Sequence, residues 1–298
     1  MKLFSNFMKE LYNGNFVFTS EIEPKKSIKI DYLINKANFL KKYVIACNVT
    51  DNPRANAYLN SVIASYIIQS HTGLETICHM TVRDRNRIAL ISDILGASVL
   101  GIRNILVITG DHTTMGDNPN AMPVYDIDST QFIKMLRKMI DEGKDINENP
   151  IDGKIEMHIG AVGNPNANPI EVELYKVERK IKAGAEFIQT QIVFDIEKIK
   201  NFIDYLKPSP PFILIGIFPC KSYKIAENIE KKLPGVKIPE EYKDKLKKAE
   251  GNSEKIDEIN IEYFSNLIKE IKRNTKASGI HIMTIEYERI IGKIIDSL

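Results

Sequence analysis

Three ionisable side chains stand in or at the end of short apolar runs. Glu21 lies in FVFTSEIEP, His79 in TGLETICHMT and Asp111 at the end of GIRNILVITGDH. A carboxylate buried without a partner is costly, so Glu21 is a candidate for chemistry that needs a perturbed pKa. A lone histidine is more often structural than catalytic, so His79 by itself does not indicate a catalytic site. Asp111 follows Gly110, and a glycine lets a ligand approach the backbone beside a charge.

A basic run, RDRNR, occupies positions 83–87. It has two interpretations: a solvated loop, or a contact to a phosphate or carboxylate group of a ligand. Asp51 and Asp84 are polar residues of the same region that could equally be helix caps. The residue types leave these alternatives open.

A regular alternation of strand and helix patterns positions these groups. Eight apolar runs rich in β-branched residues span Phe16–Ile22, Tyr43–Val49, Glu75–Met80, Asn104–Thr109, Ile155–Gly160, Phe187–Val193, Phe212–Ile217 and Ile280–Thr284. Helical patterns span Asp31–Lys42, Pro53–Gln69, Arg87–Leu100, Ser129–Glu142, Ile170–Ala183, Ile196–Leu206, Tyr223–Lys232, Ile238–Ala249, Ile259–Asn274 and Glu288–Ser297. Near-continuous apolar strands are typical of a parallel sheet covered on both faces, and eight strand–helix units close into a barrel. The sequence therefore predicts an α/β fold, a (β/α)8 TIM barrel formed by a single domain.

The alternative fold is a doubly wound sheet, which normally binds a nucleotide through a glycine-rich first turn. No G-x-G-x-x-G follows any of the eight runs, so the barrel is favoured. Within residues 1–298 we expect two additions to the barrel. One is a short N-terminal docking helix with Phe4, Phe7, Met8 and Leu11 on one face. The other is a solvated helix and loop near residues 238–258.

In this fold the chemistry lies at the carboxyl ends of the strands, because the βα loops form the open face. Many polar residues fall at those ends, and they are Glu21, Asn48, Thr50, Asp51, His79, Thr81, Thr109, Gly110, Asp111, Gln189, Gln191, Thr284 and Glu286. The sequence therefore predicts one polar rim.

The amino-acid composition limits the classes of binding partner to be expected. Lys and Arg number 41 and Asp and Glu 39, so a net charge of +2 favours neither nucleic acid nor an anionic membrane. No apolar run reaches the roughly 20 residues of a membrane span. The three scattered cysteines, Cys47, Cys78 and Cys220, suggest buried thiols rather than a disulfide framework or a metal site. We expect a soluble cytoplasmic protein without a protein-built metal site.

Together these motifs resemble the methylenetetrahydrofolate reductase family, a family of flavoprotein barrels, over nearly the whole chain. The matching segments are SEIEP, TGLETICHMT, GIRNILVITGDH, ERKIKAGAEFIQTQIVFD and GIFPCKSY, which occur in the family's order. The resemblance implies a catalytic glutamate at Glu21 and an aspartate beside the flavin at Asp111. It places flavin contacts at Asn48, Thr50, His79, Thr109, Gly110, Asp111, Arg179 and Lys180, and pterin contacts at Gln191 and Tyr223.

The implied reaction reduces a methylene group on tetrahydrofolate, or on tetrahydromethanopterin, to a methyl group. Glu21 would act as the general acid at N10, and reduced flavin, FAD or FMN, would supply the hydride. The alternative is a pterin-binding methyltransferase or carrier-binding subunit without redox chemistry.

Two positions depart from the NADH-dependent bacterial members: Thr109 replaces an arginine and Met283 replaces an aromatic residue. The segments NVTDNPRAN and HMTVRDRNRIAL are more similar to the branch found in anaerobes that run the acetyl-CoA pathway. That similarity implies an iron–sulfur electron-donor subunit as a partner, in a homo- or hetero-oligomer.

Overall fold

The structure is a computed structural model that describes residues 3–206 and 211–298. Its centre is a closed barrel of eight parallel strands, each hydrogen-bonded to its neighbours in sequence and the last to the first. The strands are β1 Val17–Ile22, β2 Ala46–Val49, β3 Glu75–Thr81, β4 Asn104–Ile108, β5 His158–Gly163, β6 Phe187–Ile192, β7 Phe212–Ile217 and β8 Gly279–Ile282. This arrangement confirms the predicted (β/α)8 barrel.

Helices surround the barrel and follow the strands in alternation. They are α1 Asn6–Tyr12, α2 Asp31–Leu40, α3 Ser61–Thr72, α4 Arg87–Val99, α5 Ser129–Glu142, α6 Ile170–Ala183, α7 Ile196–Tyr205, α8 Tyr223–Lys232, α9 Glu240–Lys248, α10 Ser253–Asn274 and α11 Arg289–Asp296. Two 3-10 turns, Pro53–Ala55 and Thr113–Met115, lie in the loops after β2 and β4. No helix in the described ranges is long and apolar enough to cross a membrane.

Helix α1 closes the amino end of the barrel. Its side chains Phe7, Met8 and Leu11 are buried against the lowest layer of interior residues, and the ring of Phe7 packs edge-on against Phe187 of β6 at 5.1 Å. Glu75 at the start of β3 accepts the backbone N–H groups of Asn6 and Phe7. The expected docking helix is therefore present, and the barrel is open only at the carboxyl ends of its strands.

The segment near residues 238–258 forms α9 and the first turns of α10. Tyr242 and Leu246 of α9 are fully buried. The hydroxyl of Tyr242 accepts the backbone N–H of Cys220 and donates to the side chain of Asn260. Helix α9 is thus packed against the end of β7 and against α10, with only part of its surface solvated.

The helix expected over Pro53–Gln69 is wrong in its first half. Asn52, Arg54 and Ala55 have left-handed φ angles of 45°, 55° and 58°, and α3 begins only at Ser61. The side chain of Asn60 caps it by accepting two backbone N–H groups. The predicted helix therefore becomes a strained loop at the open end of the barrel, followed by a shorter helix.

Candidate functional site

Strand β1 presents alternate side chains to the barrel interior. Val17 packs with the residues that contact α1, and the hydroxyl of Thr19 lies 2.9 Å from Nδ1 of His281 on β8. Because strand side chains alternate between faces, Glu21 faces the same interior, two residues nearer the open end. The structure thus places the predicted catalytic glutamate at the barrel mouth.

The carboxyl group of Glu21 is half-buried and has no hydrogen-bond partner within the described part of the chain. Its pKa is raised to about 7, chiefly by burial and secondarily by the nearby charge of Glu23, and the charge of Arg54 partly offsets this rise. A carboxyl group that titrates near neutral pH can both donate and accept a proton at physiological pH. This is the property that a general acid requires.

Below Glu21, a layer of amide, hydroxyl and imidazole groups crosses the barrel. The side-chain amide of Asn48 donates to Nε2 of His79 at 2.8 Å and to Oε1 of Gln189 at 2.5 Å. Gln189 donates in turn to Asn48 and to Thr19, which contacts His281. Strands β1, β2, β3, β6 and β8 are therefore joined inside the barrel by one polar network.

Both histidines of this network are neutral. Burial lowers the pKa of His79 to about 3, and burial together with the nearby His79 lowers the pKa of His281 to about 3. With Asn48 donating to Nε2, His79 carries its proton on Nδ1. His79 therefore offers a hydrogen-bond donor without a charge.

The loops after β2 and β4 meet at the rim through Asp111. Its carboxylate accepts the backbone N–H of Arg54 at 3.0 Å, and its carbonyl accepts from the guanidinium group of Arg83. Gly110 beside it has a φ of 86°, and a Cβ there would lie 2.3 Å from the hydroxyl of Thr81. The close approach that Gly110 permits is thus to Thr81 and Arg83 of the protein itself, and the approach of a ligand at this point stays a prediction.

The arginines of the RDRNR run all form ion pairs within the protein. Arg83 and Arg85 are buried; Arg83 pairs with Asp84, and Arg85 pairs with Asp51 and Asp93. Arg87 is paired with Asp126. Asp51 also accepts the backbone N–H of Thr81, so it joins two strand ends rather than capping a helix. The guanidinium groups of Arg83 and Arg85 are therefore buried and paired, whereas Arg87 is partly exposed in its ion pair.

Two hydroxyl groups at the mouth have no partner. Thr50 Oγ1, after β2, and Thr284 Oγ1, after β8, are buried without a hydrogen bond in the described ranges. Buried hydroxyl groups are normally paired, so these two are available to a polar ligand. Thr109, at the end of β4, is exposed at the same rim.

The remaining predicted residues are less closely grouped. Lys180 is buried and donates to the carbonyl of Val162 on β5, and burial lowers its pKa, whereas Arg179 is exposed on α6. The side-chain oxygen of Gln191 accepts the backbone N–H of Ile192. These contacts place Lys180 beside β5 and leave Gln191 folded against its own strand.

Tyr223 begins α8, where its hydroxyl donates to Glu227 and its ring lies under the amino group of Lys247 at 5.3 Å. Both contacts are with helices outside the barrel. The structure does not bring this ring into the polar layer, so the role of Tyr223 stays a prediction.

Sequence reasoning did not single out Glu23, Arg54 or His281. Glu23 lies two residues after Glu21 in SEIEP, one residue past the end of β1, and its charge beside Glu21 was the available signal. His281 stands between isoleucines in GIHI, the same signal that marked His79. No sequence pattern indicated Arg54, because its position depends on a left-handed backbone conformation that the residue types do not predict.

These observations define a parallel (β/α)8 barrel with a titratable carboxyl group above a neutral polar layer. A family model for methylenetetrahydrofolate reductase matches residues 6–298. The chain belongs to the methylenetetrahydrofolate reductase family.

Curated relatives are consistent with this assignment. Methylenetetrahydrofolate reductase 2 of Schizosaccharomyces pombe is 23% identical over 97% of this chain and 46% of its own length. The 5,10-methylenetetrahydrofolate reductase of Salmonella typhimurium is 27% identical over 74% of this chain and 67% of its own length. The chain spans less than half the length of the fungal and nematode relatives that it matches.

Solved structures share the fold. A protein from Clostridium thermocellum that binds two copies of 5-methyl-5,6,7,8-tetrahydrofolic acid superposes with a TM-score of 0.68 at 16% identity, covering 98% of this chain and 97% of that one. EDTA monooxygenase from Chelativorans superposes with a TM-score of 0.61 at 9% identity, covering 95% and 93%. At these identities the likeness shows the barrel fold.

Proposed function

We propose that the protein reduces the methylene group of a 5,10-methylene reduced pterin, tetrahydrofolate or tetrahydromethanopterin, to the 5-methyl form with a bound flavin. The observation that carries the proposal is the Glu21 carboxyl group, which faces the barrel mouth unpaired and has a pKa raised to about 7. Family membership supports the same reaction. The methyl-tetrahydrofolate bound by the Clostridium thermocellum protein supports a folate-type carrier in a barrel of this shape.

The mouth offers groups that suit a flavin. The unpaired hydroxyl of Thr50 and the Nδ1–H of neutral His79 can pair with ring heteroatoms, and Gly110 lies beside them at the end of β4. Asn48, Thr109, Asp111, Arg179 and Lys180 complete the proposed set. When bound, FAD or FMN supplies the hydride.

Glu21 would supply the proton. The methylene carbon bridges N5 and N10 in a ring, and protonation of N10 opens that ring so that the carbon can accept hydride. Because burial keeps a fraction of the Glu21 carboxyl protonated near pH 7, it can donate this proton at physiological pH.

The other predicted residues would orient the pterin carrier and stabilise the charge that develops on it. The carboxylate of Asp111, fixed by the N–H of Arg54, would stabilise positive charge that develops on the carrier. The amide of Gln191 would bind the pterin once it leaves its own backbone, and the ring of Tyr223 would stack on the carrier's aromatic group.

The first test is the visible spectrum of the purified protein, with chromatographic identification of any released flavin. A yellow protein with a stoichiometric flavin supports the proposal. A colourless protein that cannot be loaded with FAD or FMN but binds methyl-tetrahydrofolate would overturn it in favour of a carrier-binding role without redox chemistry.

A further inference from the structure

The loop after β2 holds an unusual backbone at the barrel mouth. Asn52, Arg54 and Ala55 all have φ angles between 45° and 58°, although none of them is glycine. Left-handed backbone is unfavourable for such residues and persists only where the surroundings impose it. Something in the structure therefore fixes Arg54 at this point.

The surroundings that fix it are contacts to the loop after β4. The backbone N–H of Arg54 donates to the carboxylate of Asp111, and buried Arg83 donates to the carbonyls of both Asn52 and Asp111. Gly116 packs so tightly that a Cβ there would lie 1.8 Å from the carbonyl oxygen of Ala55. Arg54 is consequently held at a defined position on the rim.

From that position the guanidinium group of Arg54 pairs with Glu23 at 2.9 Å. Glu23 lies two residues beyond Glu21 and one residue past the end of β1, and the charges of both Glu23 and Arg54 act on the Glu21 carboxyl group, which therefore lies near one anion and one cation that are held together. On β2 the residue paired with Glu21 is the uncharged Asn48, and the uncharged Met283 directly follows the end of β8. On the adjoining loops, the carboxylate of Asp111 is engaged by Arg54 and that of Glu286 pairs with Lys221.

We propose that the Glu23–Arg54 ion pair is a positioning element that sets the protonation equilibrium of the Glu21 carboxyl group. Its catalytic consequence rests on the proposed function of Glu21 as general acid. The two partners act with opposite signs: the cation favours the carboxylate form of Glu21, and the anion favours the protonated form.

Because Arg54 and Glu23 act on Glu21 in opposite directions, removing each of them should shift the pKa of Glu21 in a different direction. Removing Arg54 leaves an unpaired anion near Glu21 and raises the pKa of Glu21, whereas removing Glu23 leaves an unpaired cation and lowers it. A pair that only stabilised the loop would shift both variants in the same direction, because either loss would loosen the same contact.

The first experiment titrates the protein labelled with 13C at glutamate carboxyl carbons, with the Glu21 signal assigned by its loss in Glu21→Gln. We expect Arg54→Gln to raise and Glu23→Gln to lower this pKa, each by about one pH unit or less because the pair is partly exposed. Arg54→Lys should remain near wild type. Lys26→Gln is the matched control, because Lys26 pairs with Asp117 on the same rim.

Shifts in the same direction, or an equal shift in Lys26→Gln, would overturn the proposal. Glu23→Gln alters only a side chain at the end of a strand and so provides a reading even if Arg54→Gln fails to fold.

The pH profile of methylene reduction gives the second readout: its high-pH limb should move up in Arg54→Gln and down in Glu23→Gln. Opposite titration shifts in a protein without reductase activity would overturn the proposed function but support the ion pair's role.

Discussion

At the scale of single residues, the proposed chemistry depends on the Glu21 carboxyl group, which is half-buried and unpaired in the described part of the chain. Replacing Glu21 by Gln keeps the shape but removes the exchangeable proton. We expect flavin binding and flavin reduction to survive and methylene reduction to fall by roughly 10²–10⁴-fold, the usual loss on removing a general acid. Steady-state assays with methylene-tetrahydrofolate measure this. Glu286→Gln, on the same rim, is the control, and wild-type turnover in Glu21→Gln would remove Glu21 from the mechanism.

The same carboxyl group makes stability depend on pH. The folded-state pKa of about 7 lies above the ordinary value of 4.5, so the folded protein binds a proton more tightly than the unfolded chain. This contribution is fully present below pH 4.5 and is lost as the pH rises through 7. The unfolding free energy of Glu21→Gln, relative to that of the wild-type protein, should therefore increase by about 2 kcal/mol between pH 5 and pH 8. Urea unfolding at both pH values measures this gain, and an equal difference at the two would contradict it.

Asp111 can be tested without disturbing its loop. Asn at this position keeps an oxygen that can accept the N–H of Arg54 but removes the charge. We expect Asp111→Asn to change the midpoint potential of the bound flavin and to slow carrier turnover while the fold is kept. Spectroelectrochemistry and rapid-mixing assays are the measurements. If potential and rates both stay unchanged, Asp111 is only a structural link between the β2 and β4 loops.

The sequence located the titratable groups better than it located their partners. Glu21, His79 and Asp111 could be singled out because charge within an apolar run is visible in one segment. Their neighbours come from distant segments: His281 reaches the network from β8, and Arg54 reaches the mouth through left-handed backbone. Such pairings depend on barrel closure and loop contacts, which local patterns do not encode.

At the scale of elements, buried ion pairs hold the strand ends in place. Asp51 accepts from the guanidinium group of Arg85 at 2.6 Å and from the backbone of Thr81 at 2.9 Å, with almost no exposure. Asp51→Asn leaves a buried cation less balanced, so we expect a loss of about 3 kcal/mol in unfolding free energy. Chemical denaturation measures this. Asp126→Asn, which breaks the more exposed pair with Arg87, should cause no measurable loss; equal losses would show that burial is not the cause.

The elements themselves were predictable where their patterns are long. All eight strands were expected, because apolar β-branched runs mark a parallel sheet covered on both sides. The fifth strand lies at His158–Gly163 rather than Ile155–Gly160, since Gly160 and Gly163 weaken the pattern at its true end. In the structure, Gly160 makes room for the ring of Phe187, because a Cβ there would lie 2.2 Å from that ring. The position of this strand is thus tied to packing against its neighbour β6.

At the scale of the whole molecule, α1 closes one end of the barrel and leaves one polar mouth for every reactant. Electron donor and pterin carrier would then use the same opening in turn, a ping-pong order. The three thiols are all buried, and burial raises the pKa of each. Residues 1–298 contain three scattered, buried cysteines and so do not supply a four-cysteine cluster; an iron–sulfur relay serving the proposed reaction would have to lie outside these residues.

The residues Thr109 and Met283 also bear on which electron donor reduces the proposed flavin. A nicotinamide ring must stack on the flavin and be held by polar groups, yet Thr109 is uncharged and Met283 packs over Gly216 without an aromatic face. We therefore expect NADH and NADPH to reduce the flavin slowly, and an artificial one-electron donor such as reduced methyl viologen to reduce it rapidly. Anaerobic stopped-flow bleaching of the oxidised flavin measures both. The double variant Thr109→Arg with Met283→Tyr should accelerate bleaching by NADH, whereas rapid, saturable bleaching of the wild-type protein by NADH would contradict the prediction.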